Sequence, residues 1–494
     1  MDIHIIDLTI FVFYLAGMLG VGFYFAKKNK TNDDYYVGGR KMSAGHIGLS
    51  VVATDVGGGF SIGLGGLGFV MGLSGSWMLF TGLAGAWISA VLLIPKVYPI
   101  AKKHQFLTFP QSLTFHYNAK VALIAGIISL IGYVGFTSSQ ILAGAKLASA
   151  TFPALSISDA VLAMGVIAVV YTVIGGMKAV IYTDTIQWTI LMVGLIFIGI
   201  PIAFIEIGGW SSITQYMPDN FLSLSNLKAI HFFNWLITIV PIWFVGMTLY
   251  QRIYACKDEK TAVKAWRIAG LFEWPIMAFM GVVLGLFARV AFEQGMFADF
   301  GYPTGANIDS ELGLPLLLRK ALPIGFLGLM MSAYFSAIMS TADSCLMAAS
   351  GNFVSDILKY FKRGETTNEI RLSQVVTFII GAFAILLATL MHNVLELMLY
   401  SYAFMVSGLF VPVIGMLVFK KPQPLAALAS MILGGATTLI LIILDLELPY
   451  ESDENFFGIL ISLVSFLSIH YFLKFQNKLD GRVSYKHKEN SKQH

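Results

Sequence analysis

The chain has 494 residues, 57% of them hydrophobic and only 12% charged, with a formal net charge of +4. That balance excludes a soluble globule, and so small a positive surplus gives no reason to expect a nucleic-acid partner. A membrane span takes about 20 residues of helix, so about thirteen spans would use about 260 residues and leave too little for a second soluble domain.

About thirteen apolar segments of membrane length are found, at 5–26, 44–72, 77–95, 121–148, 157–175, 183–205, 231–250, 266–290, 324–349, 373–391, 394–419, 424–444 and 455–473. Asp2 and Asp7 precede the first, which is long enough to be a permanent span rather than a cleaved signal. The second reads LSVVATDVGGGFSIGLGGLGF, with Asp55 just before Gly57, Gly58 and Gly59 at mid-span. Between the fifth and sixth, Gly175 and Gly176 predict a tight inner turn beside Lys178. Asp184 then opens the sixth span, a position where an N-cap is the plainer reading. The seventh, FNWLITIVPIWFVGMTLY, is interrupted by Pro241 and Gly246. An acidic outer loop over 292–322 carries a short apolar piece, Leu312 to Leu318, expected as a helix lying at the surface. The polar, basic tail after Lys474 is expected to be disordered. Cys256 falls in an inner loop and Cys345 in a span, which argues against a structural disulfide.

Positive charge sets the orientation. Of the 32 Lys and Arg residues, only Lys146, Lys228, Arg289, Arg319 and Lys320 fall outside one set of alternate gaps. Cytoplasmic loops collect these residues, so the amino terminus is expected outside and the carboxyl terminus inside, which requires an odd number of spans.

Glycine and proline free backbone groups that lipid cannot satisfy, so such breaks persist only against protein, water or a ligand. The two broken spans are five apart and occupy equivalent places in two five-helix blocks of opposite orientation. That is an inverted repeat, and paired breaks within one point to a transporter's midplane site. The division expected is a leading helix and inner loop (1–43), a first repeat (44–205), an outer loop (206–230), a second repeat (231–419), two trailing helices (420–474) and a tail (475–494).

Three clusters are candidates for chemistry. Asp55 is a carboxylate at bilayer depth, which marks an ion path, a relay or a counter-charge; alternatively it caps the second half of its own broken helix. Carbonyls of Ala53 and Val56 are free to point inward at that break. In FSAIMSTADSC, Ala337, Ser340, Thr341 and Ser344 share one helical face, offering oxygen ligands to a hard cation or a small-residue packing stripe. Asp343 beside them tips the reading toward function. Near the second break Trp243, Phe244 and Tyr250 are either pocket aromatics or packing residues. No HExxH and no paired Cys/His ligands are present, which argues against an enzyme.

Taken in order, ATDVGGG, YTVIGGMKAVIYTD, YQRIYACKD and FSAIMSTADS resemble the sodium:solute symporter family over roughly residues 5 to 420. The resemblance implies an all-α integral membrane protein of about thirteen transmembrane helices. It would have a LeuT-type five-plus-five inverted repeat with one leading and two trailing helices. It also implies Na+-coupled symport of a small organic solute by alternating access, in a cell (inner) membrane. The expected partners are the solute, sodium and the lipid bilayer, with no nucleic acid and no obligatory protein partner. The family's sodium site maps to Ala53, Val56, Ala337, Ser340 and Thr341. A second ion site of some members maps to Asp184, Ser340, Asp343 and Ser344, with Asp343 standing where those members have serine. Solute and coupling residues are expected among Asp55, Gly57, Gly58, Phe60, Trp243, Gly246 and Tyr250. The sugar carriers have Asn and Gln at the positions of Asp55 and Phe60, so an amino acid or quaternary amine is the preferred solute, with an organic acid still open. A solute sensor on a transporter scaffold is the alternative.

Overall fold

The computed structural model describes residues 4–26, 31–152, 154–361 and 369–490. At a few helical positions, among them Phe60, Gly175, Gly176 and Lys178, the side chains lie outside that description. The elements are helical throughout and cover every apolar segment read from the sequence. They are α1 (Ile5–Ala26), α2 (Ala44–Met71), α3 (Trp77–Leu92), α4 (Ala119–Thr151) and α5 (Ile157–Gly194). Next come α6 (Ala229–Val245), α7 (Met247–Ala255), α8 (Glu259–Leu271), α9 (Ala278–Glu293) and α10 (Ser310–Ala321). The last five are α11 (Phe326–Asn352), α12 (Glu369–Leu390), α13 (Val394–Val418), α14 (Pro424–Leu444) and α15 (Glu454–Asn490). Among the described residues eight helices are long and apolar enough to cross a membrane, or nine if the bent pair α6–α7 counts as one span.

α2 runs through the middle of the molecule, packed against α5, α8, α9, α10 and α11. Its second half meets α9 backbone to backbone. A Cβ on Gly68 would lie 2.7 Å from Val282 Cα, and one on Gly285 would lie 2.9 Å from Gly65 C. Such close approach is how membrane helices gain van der Waals contact without a hydrophobic driving force. α11 is buried from Met330 onward, whereas α14 and the membrane part of α15 keep an exposed apolar face.

Polar groups at helix ends find partners. Asp7 Oδ1 accepts from the N–H of Gly325 (2.8 Å) and of Gly328 (2.7 Å), tying α1 to the start of α11. Lys146 of α4 donates to Asp309 (2.5 Å) and Glu311 (2.6 Å). Glu311 in turn accepts from the first free N–H groups of α13, Val394 and Leu395, both at 3.0 Å. These acceptors answer donors that neither water nor lipid would satisfy.

One expectation holds in part and three need correction. The backbone stays helical from Ile157 to Gly194, through the stretch read as a turn at Gly175–Gly176. Its two halves are nonetheless not collinear. A straight helix would place Thr172 and Asp184 about 18 Å apart, yet they contact Asp343 and Ser340, three residues apart on α11. The Leu312–Leu318 piece is a helix but is buried against the body instead of lying at the surface. The tail continues α15 as helix to Asn490 where disorder was expected. Finally, Pro241 lies within α6, and the 43° bend falls at Gly246, whose φ of −65° and ψ of 113° are extended.

Candidate functional site

The break in α2 falls at Gly57, where φ is 33° and ψ is −157°. That combination is open to glycine and closed to residues with a Cβ. The groups it frees are answered from α4 and α11. Thr341 Oγ1 donates to the Ala53 carbonyl at 2.9 Å, and the Ala337 carbonyl lies 3.3 Å from the same hydroxyl. The Gly58 N–H donates to Gln140 Oε1 at 2.7 Å. A capping role was the alternative reading for Asp55, but Gln140 fills it. The hydroxyls of Thr54 and Ser344 meet at 3.3 Å. Ala53, Val56, Ala337, Ser340, Thr341 and Ser344 are all buried, and the helical spacing of the last four turns their face toward α2 and α5.

Asp184 is inside α5 rather than at its start, so the N-cap reading does not hold. Its carboxylate accepts from the Ser340 hydroxyl, from Ser50 Oγ at 2.5 Å and from the Arg252 guanidinium at 3.4 Å. Arg252 is fully buried and also reaches the Ser50 carbonyl (3.2 Å) and hydroxyl (3.0 Å), the Thr248 carbonyl (3.2 Å) and Ser344 Oγ (2.9 Å). A buried ion pair is tolerable only when its remaining donors and acceptors are satisfied, and Arg252 meets that condition. Asp343 accepts from Thr172 Oγ1 at 2.5 Å through one oxygen, while among the described residues Oδ2 has no hydrogen-bond partner.

The other predicted residues spread along the second break. Asp55, facing inward from the turn before Gly57, accepts weakly from the Tyr402 hydroxyl (3.5 Å), and its carboxyl meets that of Glu273. Trp243 is fully buried between Gly85 and the Trp266 ring, 6.2 Å away centroid to centroid. The Tyr250 ring lies 4.8 Å from that of Phe109, tilted by 50°, and its hydroxyl donates to the Phe244 carbonyl at 2.9 Å. Those contacts are with its own helix pair and the inner loop rather than with Asp55. Gly246 forms the break itself, and the Phe60 side chain lies outside the described residues.

Sequence reading missed Ser50, Gln140, Thr172, Arg252, Glu273 and Tyr402. Glu273 and Arg252 could have been found by the rule that selected Asp55, because each is an ionisable residue within an apolar stretch. The others are ordinary polar residues whose role follows only from their partners.

The Sodium:solute symporter family model matches residues 35–434. The Escherichia coli sodium/proline symporter is 28% identical over 448 residues, covering 88% of this chain and 87% of its own. The high-affinity proline transporter of Bacillus subtilis is 29% identical over 471 residues, covering 92% and 95%. The sodium/glucose cotransporter of Vibrio parahaemolyticus is 27% identical over 500 residues, covering 93% and 89%. Among solved structures, a Na+-coupled sialic acid symporter in a substrate-bound, outward-open state superposes with a TM-score of 0.75. It is 22% identical and covers 94% of this chain and 97% of its own, so the fold is shared. A helix broken at its centre, answered by hydroxyls from a facing helix and matched along most of its length by these relatives, leaves one assignment. The chain belongs to the sodium:solute symporter family and is a multi-pass membrane transporter that carries a small organic solute together with sodium.

Proposed function

We propose that the transported sodium binds between α2 and α11, on the carbonyls of Ala53, Val56 and Ala337 and the hydroxyls of Ser340 and Thr341. The observation that carries this reading is the Thr341 hydroxyl on the Ala53 carbonyl at the Gly57 break. It brings oxygens from both helices together, and a hard cation prefers oxygen ligands. Asp184, Ser340, Asp343 and Ser344 are the candidate for a second ion. Arg252 already donates to Asp184 and Ser344, so a second sodium there competes with a guanidinium.

The solute binds next to the two breaks, beside Asp55, Gly57, Gly58 and Gly246. It is a small molecule with a cationic nitrogen, an amino acid or an amine, as the proline carriers among the relatives suggest. Residues 44–205 and 231–419 act as the two repeats that rock to expose the site alternately, flanked by the leading helix and the two trailing ones. The amino terminus is outside and the carboxyl terminus in the cytoplasm, on the distribution of Lys and Arg. A sodium ion moving inward gains about 2.3 kcal/mol per 100 mV from the potential alone.

The test uses purified protein in sodium-free buffer, with Trp fluorescence and thermal stability followed as sodium replaces potassium. Amino acids and amines are then added with and without sodium. A compound that stabilises only with sodium supports the assignment. Thr341→Val should raise the sodium concentration needed by about tenfold, the loss of one ligand of about 1.4 kcal/mol, while Thr341→Ser should retain it. Equal sodium titrations for Thr341→Val and the parent would sink the site.

A further inference from the structure

Glu273 follows α8 at a point where the helix is distorted, Trp274 having φ −137° and ψ 125°. It is fully buried, and Asp55 is 5% exposed. Their carboxyls face each other, and Glu273 is pressed against Gly82 of α3, leaving no room for a side chain there. Neither acid has a cationic partner among the described residues. Among the described residues Asp55 Oδ2 and both Glu273 oxygens have no hydrogen-bond donor from outside the pair, the two carboxyls meeting only each other. Among the described residues the donor that reaches the pair from outside is the Tyr402 hydroxyl, 3.5 Å from Asp55 Oδ1. The nearby guanidinium, Arg252, is spent on Ser50, Thr248, Asp184 and Ser344. Buried carboxylates persist when paired or hydrogen-bonded, and an unpaired one is costly. Buried carboxyl oxygens with no donor from outside the pair therefore define the chemistry of what meets them: positive charge bearing N–H groups.

We propose that Asp55 and Glu273 together recognise the solute, and that the solute is an organic cation of net charge +1 with N–H donors, a primary or secondary amine or a guanidine. This deepens the proposed function and rests on its placing of the solute at the two helix breaks. Charge balance gives the class. With Arg252 spent elsewhere, a cationic nitrogen is matched by the pair, whereas the carboxylate of a zwitterion would lie against two acids with no cationic partner beside it. The unsatisfied acceptors give the second criterion, because a quaternary nitrogen carries no N–H to donate. An aromatic wall stands beside the pair, with Tyr402 edge-on to Phe136 at 4.9 Å between centroids. Such a wall suits the apolar part of an amine and its charge alike.

The experiment measures sodium-dependent thermal stabilisation and uptake in proteoliposomes with five probes. They are L-lysine and methylguanidine (cations of net charge +1 with N–H donors), choline (a quaternary cation), and L-proline and glycine betaine (zwitterions). L-Lysine or methylguanidine should act at concentrations at least tenfold below L-proline. Glu273→Gln keeps the shape against Gly82 but removes one acid of the pair, and should cut the ratio of cation to zwitterion affinity by tenfold or more. A parent protein that prefers L-proline, glycine betaine or choline in a sodium-dependent manner overturns this inference and leaves the proposed function standing. So does a Glu273→Gln protein with the parent's ratio. Absence of sodium-dependent stabilisation by every probe, with no response to sodium itself, overturns both. The preference of the parent protein is decisive even if the variant fails to fold.

Discussion

Replacing Gly57 with alanine tests the centre of the ion site through backbone and space at once. At φ 33° and ψ −157° a residue with a Cβ is strained, by roughly 1–2 kcal/mol. The added methyl would lie 2.8 Å from Thr341 Cβ and 2.9 Å from Gln140 Oε1, overlapping the Thr341 hydroxyl as well. Overpacking of that kind adds about 1–3 kcal/mol. The two neighbours it displaces are those that hold the Ala53 carbonyl and the Gly58 N–H, so the penalty falls on the arrangement that would receive sodium. A total of about 2–5 kcal/mol, at 1.4 kcal/mol per factor of ten, weakens sodium binding by about thirtyfold at least. The assay is a sodium titration by Trp fluorescence on the purified variant, with Gly45→Ala as control, since nothing lies within 4 Å of a Cβ there. A Gly57→Ala protein that titrates within threefold of the parent would refute the argument that this break forms the ion site.

Two further outcomes follow from charged groups. Arg252→Met and Asp184→Asn should each lower stability in detergent, Arg252→Met by about 3–5 kcal/mol because it strands a buried carboxylate. The double variant should lose less than the sum by at least about 1 kcal/mol; additive losses would show that the pair does not act as a unit. At the inner loop, the side chain and backbone N–H of Thr261 hold the Asp258 carboxyl below its ordinary value of 3.8. Because the folded value is depressed, its contribution is present above the ordinary value and is lost as pH falls through the folded one. Thermal melts between neutral and acid pH should therefore show less acid sensitivity in Asp258→Asn than in the parent.

The helices were legible because apolar length and the alternation of Lys and Arg between loops are imposed by the bilayer itself. Both breaks were legible for the same reason, although only the glycines locate them. Pro241 is absorbed within α6, while Gly246 carries the bend. The reversal expected at Gly175–Gly176 rested on local propensity, and the chain does turn back to α11 there although its backbone stays helical. Among the site residues, the face of Ala337, Ser340 and Thr341 could be read from helical spacing alone. Gln140, Ser50 and Tyr402 could not, because their partners lie 82, 134 and 347 residues away along the chain. Asp184 shows the limit most clearly. Local rules made it a cap, whereas three other helices converge on it.

The coupling proposed for this transporter has a short physical route. Ala53, whose carbonyl faces Thr341, and Asp55, whose carboxyl faces Glu273, are two residues apart on the last turn before Gly57. A cation that fixes the Ala53 carbonyl against α11 also fixes the direction of Asp55, and a solute that holds Asp55 and Glu273 together returns the favour to Ala53. The two ligands therefore need not touch to bind cooperatively, and each must tighten the other by the same factor. The stiffness of one helical turn sets that factor. A change that loosens the turn without removing a ligand, such as Gln140→Ala at the Gly58 N–H, should reduce the mutual enhancement of sodium and solute. Titrating sodium with and without solute measures it directly, and an unchanged enhancement in Gln140→Ala would mean that coupling runs by another path.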